Sequence, residues 1–320
     1  MEQTTATTSA VSRDSASPRG KALGLVPDAA NSPAQPDPEA PRQETRALLA
    51  WMGNEQAMTM LLEGRQQGIF TSALQEKLAE ARAALNDRKP GIDQTDLIRP
   101  MPRDMASYIA RLEKASQAKP YWDEGWRPAM VDLPRVCAFQ PHTFINHAHQ
   151  RVEKVSLGDI RSLAEITLPL DSTEPVTFQF DRRRQMFVTS VSNANLQVVG
   201  AFGGLAPGQP AGTVHMGFQL RMITSYLQVG NMQGRWFLRD GYHRSLGLVQ
   251  RGVRYVPAFV REDMTLADLV PPGALEFEAI LGNRPPLLTD YWDEGVACSL
   301  QLPAPRRVIS VQASELSIYG

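Results

Sequence analysis

Cysteine is nearly missing from this chain: Cys137 and Cys298 are the only two in 320 residues. Two thiols give neither a disulfide framework nor a paired-cysteine metal signature, and they fit a reducing cytoplasm. No apolar run reaches the roughly 18 to 20 residues that span a bilayer. The N-terminus has no basic start followed by an apolar core, so no secretory signal is visible and no membrane partner is expected. A surplus of either charge is missing too. Lys and Arg number 33 against 34 Asp and Glu, a net charge of −1, so nothing global draws the chain to nucleic acid or an anionic surface. Several signatures of catalysis are absent: no Gly-x-Gly-x-x-Gly, no Gly-x-Ser-x-Gly, and no Lys-Ser/Thr closing the Gly-rich stretch Gly203 to Gly212. Residues 1–43 lack any apolar period and are dominated by Ala, Ser, Thr and Pro. Such a composition buries too little surface to offset its ordering entropy, and a disordered tail is expected there.

What remains is ordinary for a folded protein, with 42% hydrophobic and 21% charged residues. Residues 44–120 read as helical. Leu48, Trp51 or Met52, Met58, Leu61 and Leu62 recur at three and four, and so do Leu74, Leu78, Ala81 and Leu85. A third helix is expected from Arg103 to Gln117. The adaptable Met58, Met60 and Leu61 face makes residues 44–117 a candidate surface for a protein partner, against the plainer reading of packing surface. Residues 121–320 read as a mixed domain. Val176 to Phe202 alternates as strands around the Arg182–Arg184 turn, and Gly203 to Gly212 reads as a flexible loop able to fold over a ligand. A helix over Leu275–Leu281 and a final strand or two from Arg307 to Ile318 complete it.

Two further patterns carry possible chemistry. Tyr-Trp-Asp-Glu-Gly occurs at Tyr121–Gly125 and again at Tyr291–Gly295. The favoured reading is a pair of surface turns anchored by buried Trp122 and Trp292. The alternative sets Asp123, Glu124, Asp293 and Glu294 around a cleft. His142, His147 and His149 cluster in sequence, and His147 and His149 would share a face if the segment were extended. Their spacing reproduces no known metal signature, so no metal site is assigned.

The most informative stretch is Gly234 to Glu262. It reads as strand (Arg235–Arg239), glycine corner (Asp240-Gly241), helix (Tyr242–Arg251), a stop at Gly252, and strand (Val253–Val260). A helix N-terminus offers unpaired amides and partial positive charge. Here it follows Gly241, with His243 and Arg244 in the first turn, and Arg244 has a fork of donors suited to phosphate oxygens. The opposing reading has Asp240 capping the helix and Arg244 in a structural ion pair.

Asp240-Gly241-Tyr242-His243-Arg244, followed by Gly-Leu-Val-Gln-Arg-Gly and Val-Pro-Ala-Phe-Val, resembles the signature of the ParB/sulfiredoxin-like superfamily. Met130 to Pro141 is similar to the strand and Gln-Pro segment that opens that domain. Together the resemblance covers about 30 to 40 residues. It implies an α+β fold whose loop holds nucleotide phosphates. Gly241, Tyr242, His243 and Arg244 would bind phosphate, and His243 and Asp240 would act in phosphoryl transfer or hydrolysis, with magnesium as a companion of the nucleotide. Tyr242 stands where sulfiredoxins carry their catalytic cysteine, so thiol repair chemistry is not implied. The partition proteins have Glu-Arg-Arg in place of Tyr242-His243-Arg244, and no helix-turn-helix follows. The expectation is therefore a cytoplasmic α+β protein that binds a nucleotide or another phosphate-bearing small molecule. The alternatives are a non-catalytic partner-binding or regulatory protein and, further off, a ParB-like nuclease or DNA-binding protein.

Overall fold

A computed structural model of the chain describes residues 41–64, 71–171, 176, 178–183, 186–191, 195–205, 208, 210–211, 213–304 and 307–312. The chain begins with strand β1 (Arg42–Ala47), then helices α1 (Asn54–Gly64) and α2 (Thr71–Asp87). Strand β2 (Ile98–Arg99), helices α3 (Ala106–Lys114) and α4 (Lys119–Asp123), and strand β3 (Arg127–Asp132) come next. Strand β4 (His142–Phe144) runs into α5 (Ile145–Val152), followed by α6 (Ile160–Thr167). A block of strands follows: β5 (Gln179–Asp181), β6 (Met186–Val191), β7 (Leu196–Leu205) and β8 (Val214–Met222). The motif region holds β9 (Gln228–Met232), β10 (Arg235–Asp240), α7 (Tyr242–Gln250) and β11 (Tyr255–Arg261). Short helices α8 (Leu266–Leu269) and α9 (Phe277–Leu281) and strands β12 (Cys298–Pro303) and β13 (Arg307–Gln312) complete a mixed α+β protein.

The five-stranded sheet, in the order β10-β9-β11-β3-β2, carries the site. Strand β11 lies at its centre, parallel to β9 and antiparallel to β3. Val256, Ala258 and Phe259 are fully buried, as a strand covered on both faces requires. Helix α7 crosses from β10 to β11 and packs on α5. A Cβ at Gly247 would fall 2.4 Å from the Ala148 carbonyl oxygen, so only glycine lets the two backbones come this close. A second sheet, β12-β1-β4, is continuous with the same apolar core, which takes in Leu61, Leu74 and Leu78 of the helices together with Phe237 and Phe259 of the strands. Among the described residues no helix is long and apolar enough to cross a membrane.

Several expectations shift. The segment 44–47 is strand, not helix, because β1 pairs on one side with β12 and on the other with β4. Tertiary pairing overrides a helical apolar period of this length. Helices α1 to α4 account for much of the rest of 44–120, and the Leu74, Leu78 and Ala81 stripe is buried as its spacing implied. Gly203 and Gly204 belong to β7, so the expected loop starts later, and most of residues 206–212 lie outside the described residues. So do residues 1–40 of the expected tail and the 313–318 end of the expected final strand.

Candidate functional site

The corner is built by backbone geometry before any side chain acts. The β9–β10 hairpin turns over Gln233 and Gly234, with φ of 53° and 78°. The ladder slips by a residue between Leu238 and Asp240, and the chain leaves the sheet at Gly241 with φ 98° and ψ 21°. A side chain there would meet a left-handed penalty of about 1–2 kcal/mol. It would also crowd Leu227, whose Cγ and Cα lie 3.2 and 3.3 Å from the Cβ position. Helix α7 then starts without a side-chain cap. The first intrahelical bond to the corner is Ser245 N to Gly241 O at 2.9 Å. Among the described residues no acceptor meets the amides of Tyr242, His243 and Arg244. These are the orphan donors of a helix start.

Asp240, Ser225 and Arg244 lock the corner from behind. Asp240 Oδ1 accepts from the Gly241 amide at 2.6 Å, and Oδ2 accepts from Ser225 Oγ at 3.0 Å. Arg244 Nη2 donates to the same hydroxyl at 2.8 Å, while Nη1 donates to the Ile166 and Ser225 carbonyls at 2.9 and 2.8 Å. Arg244 is only 9% exposed. Burial pulls its guanidinium below the usual arginine value, and Asp240 acts in the opposite sense. Three of its five N–H donors are engaged by two backbone carbonyls and a hydroxyl of the protein itself, so it braces α6 and the β8–β9 loop against α7. Tyr242 is committed too. Its hydroxyl accepts from the Phe139 and Gln140 amides at 2.9 and 3.3 Å, and its ring packs edge-on to Phe139 and Tyr291. Burial raises its phenol well above the usual range. The segment around Gln140 thus lies directly against Tyr242.

His243 is the motif side chain left without a partner. Its Nε2 is buried and unbonded, and its ring stands 5.6 Å from His147, edge to face at 82°. Burial lowers its imidazole to about 4, and His147, Arg151 and Arg244 push it the same way. His147 is itself held below the usual histidine value, first by burial and then by Arg151. The extended reading of His147 and His149 does not hold. Both lie on α5, where residues two apart point to different sides, and His149 reaches Gln250 on α7 instead. Among the described residues no group of three or more His, Cys, Asp or Glu is placed to hold a metal ion.

The Tyr-Trp-Asp-Glu-Gly repeats play different parts. In the first, Tyr121 stacks on Phe259 at 5.5 Å and the neighbouring Trp126 is fully buried. In the second, Tyr291 is fully buried and donates to the Gln140 carbonyl, while Asp293 and Glu294 pair with Arg88 and Arg46. Trp122 and Trp292 are half-buried, so the anchors are Trp126 and Tyr291. The partners that fix the corner, Ser225 and Ile166, lie 19 and 78 residues from Arg244. No local spacing could have revealed them. The pairing of His147 with His243 was equally hidden, although a helical period through 145–152 would have shown that His147 and His149 part company.

Set against protein-family models, curated proteins and solved structures, the chain matches none.

Proposed function

We propose that the corner binds an anionic, phosphate-bearing ligand, a nucleotide or a smaller phosphate, at the start of α7. One observation carries this reading. Among the described residues the first-turn amides of this uncapped helix meet no acceptor, and two arginines, Arg151 and Arg244, act on His243 beside them. Unpaired donors in a positive, partly desolvated spot favour an anion. In this reading the Tyr242 and His243 amides meet the phosphate, Gly241 supplies the turn, and the His243 imidazole donates to a phosphate oxygen. Arg244, Asp240 and the Tyr242 side chain hold the shape from behind. For phosphoryl transfer or hydrolysis, His243 is the available proton carrier, because it is neutral near pH 7 and its Nε2 has no protein partner. Asp240, with both oxygens engaged, positions the loop.

A second reading is a non-catalytic protein in which the same corner is purely structural. The three hydrogen bonds from Arg244 to Ile166 and Ser225 favour it. Thermal melting with ATP, ADP, CTP, GTP and inorganic phosphate, each with and without magnesium, separates the two. The anion reading expects at least one of them to raise the melting temperature, and His243→Gln to weaken that rise while the unliganded protein still melts cooperatively. No rise with any ligand leaves the structural reading standing.

A further inference from the structure

Helices α5 and α7 lie side by side and run the same way. His147 meets His243, Ala148 lies against Gly247, His149 reaches Gln250, and Arg251 donates to the Val152 carbonyl. The two helices are not held equally. Helix α7 buries Tyr242, Leu246 and Leu248 in the core, whereas the eight residues of α5 bury only Ile145, Ala148 and Val152. A helix that short is marginal in water, and an element with few buried apolar side chains opens before the rest of a fold. At the N-terminal end of the pair, His243 Nε2 is buried without a hydrogen-bond partner, and the His147 ring stands edge-on to the His243 ring with centroids 5.6 Å apart. Arg151 of α5 and Arg244 of α7 act on His243, and His147 joins them when it takes a proton. Among the described residues no carboxylate acts on it. Asp240 of β10 gives its oxygens to the Gly241 amide and the Ser225 hydroxyl, and the exposed Glu165 of α6 pairs with Arg161. Of the other segments packed on α7, β4 brings His142, which burial also holds below its usual value. The turn Leu133–Arg135 brings Arg135, bonded to Asp132, and the turn Leu288–Trp292 brings Asp290, bonded to Arg88, and Tyr291, bonded to the Gln140 carbonyl.

We infer that α5 is a latch released by acid: protonation of the His147–His243 pair detaches α5 from α7 while the five-stranded sheet stays folded. A proton on Nε2 makes a buried cation with no acceptor, set among like charges. The less firmly held helix relieves that cost by leaving, because detachment brings both imidazoles to water, where they are hydrated and the arginines are screened. The stretch that loosens is bounded on both sides. Phe144 stays paired with Thr45 in the sheet, and Arg251 holds the Val152 and Val155 carbonyls. With His243 near 4 in the closed form and at its ordinary 6.5 in the open one, opening grows about thirty-fold between pH 7.5 and pH 5. His147, lowered as well, adds in the same direction. No ligand takes part, so the latch and the anion reading stand or fall separately.

The test is amide hydrogen exchange of the full chain, read by mass spectrometry at pH 7.5 and pH 5 over a series of low urea concentrations, each rate divided by the chemical exchange rate at that pH. The latch expects opening of residues 145–152 to grow about thirty-fold or more from pH 7.5 to pH 5. That opening should depend little on urea, because a detached helix exposes little surface, while β11 exchanges more slowly and with the urea dependence of whole-chain unfolding. His243→Gln should remove most of the growth in 145–152. Should that variant not fold, the pH and urea dependence of 145–152 in the natural chain decides alone. Exchange of 145–152 at the rate and with the urea dependence of β11 overturns the inference, since only the whole chain then opens. Equal opening of 145–152 at the two pH values overturns it as well, and so does a growth that persists undiminished in a folded His243→Gln.

Discussion

The buried histidine at the corner makes the protein's stability fall in mild acid. His243 goes from an ordinary value of 6.5 to about 4 on folding. The unfolded chain thus binds the proton more tightly, and protonation favours unfolding. The neutral form's contribution is complete above about pH 6.5 and is lost as pH falls toward the folded value near 4. Integrated over that window, the loss is about 2 kcal/mol by about pH 5 and about 3 kcal/mol at the acid limit. His147 is lowered as well and adds in the same direction. Asp132 and Asp293 are held below 3.8, so their losses begin at lower pH. Urea unfolding of the natural chain and of His243→Gln, at steps from about pH 7.5 to about pH 4.5, isolates the effect. The natural protein should lose about 2 kcal/mol more than the variant between pH 7.5 and pH 5. Sulfate, whose charge does not change over this range, should bind more tightly as pH falls, because an anion favours the charged imidazole. Two results would refute the reasoning: a His243 ring proton that titrates near 6.5 by NMR, or equal pH slopes for the two proteins.

The remaining predictions concern the brace. Arg244→Ala leaves the Ile166 and Ser225 carbonyls and the Ser225 hydroxyl without their donor, and should cost about 3 kcal/mol by urea unfolding whether or not any ligand is present. An unchanged midpoint would show that the guanidinium is free to serve a ligand. Gly241→Ala forces a Cβ into a left-handed residue at 3.2 Å from Leu227. It should cost about 1–2 kcal/mol and weaken any anion-induced rise in melting temperature, both read in the same thermal scan.

Local chemistry was legible where the sequence dictates the backbone. Gly241 and Gly252 mark the ends of α7, and both have positive φ, 98° and 77°. The run from Arg235 to Arg261 folds as strand, helix and strand in the order its periodicity implied. What the sequence hid were alliances between distant segments. Strand β1 looked helical because Leu48, Trp51 and Met52 keep a helical spacing just after it, while its pairing with β12 joins residues some 250 positions apart. The faces of the β7–β8 ribbon were hidden for another reason. Val199 inserts a bulge, so the residues that share one face run Val198, Ala201, Gly203 on β7. A strict period of two would have scattered them over both sides.

The same contrast bears on Arg244. From sequence, a glycine corner followed by His-Arg invites the arginine to be read as the ligand contact, since a guanidinium beside a helix start is the obvious anion holder. In the fold, a residue in the first turn of α7 can point back under the corner as easily as out of it, and Ser225 and Ile166 supply three oxygens there. A buried guanidinium left without those acceptors would cost more than one phosphate contact returns, so its inward position is the stable one. The consequence is a division of labour. The charge of Arg244 still acts on His243 and on the amides of the first turn, but through space and from behind. Arg244→Lys keeps the charge and loses the planar fork that reaches two carbonyls and a hydroxyl at once. On this reasoning lysine cannot restore the fold, even though it preserves the field that an anion would feel.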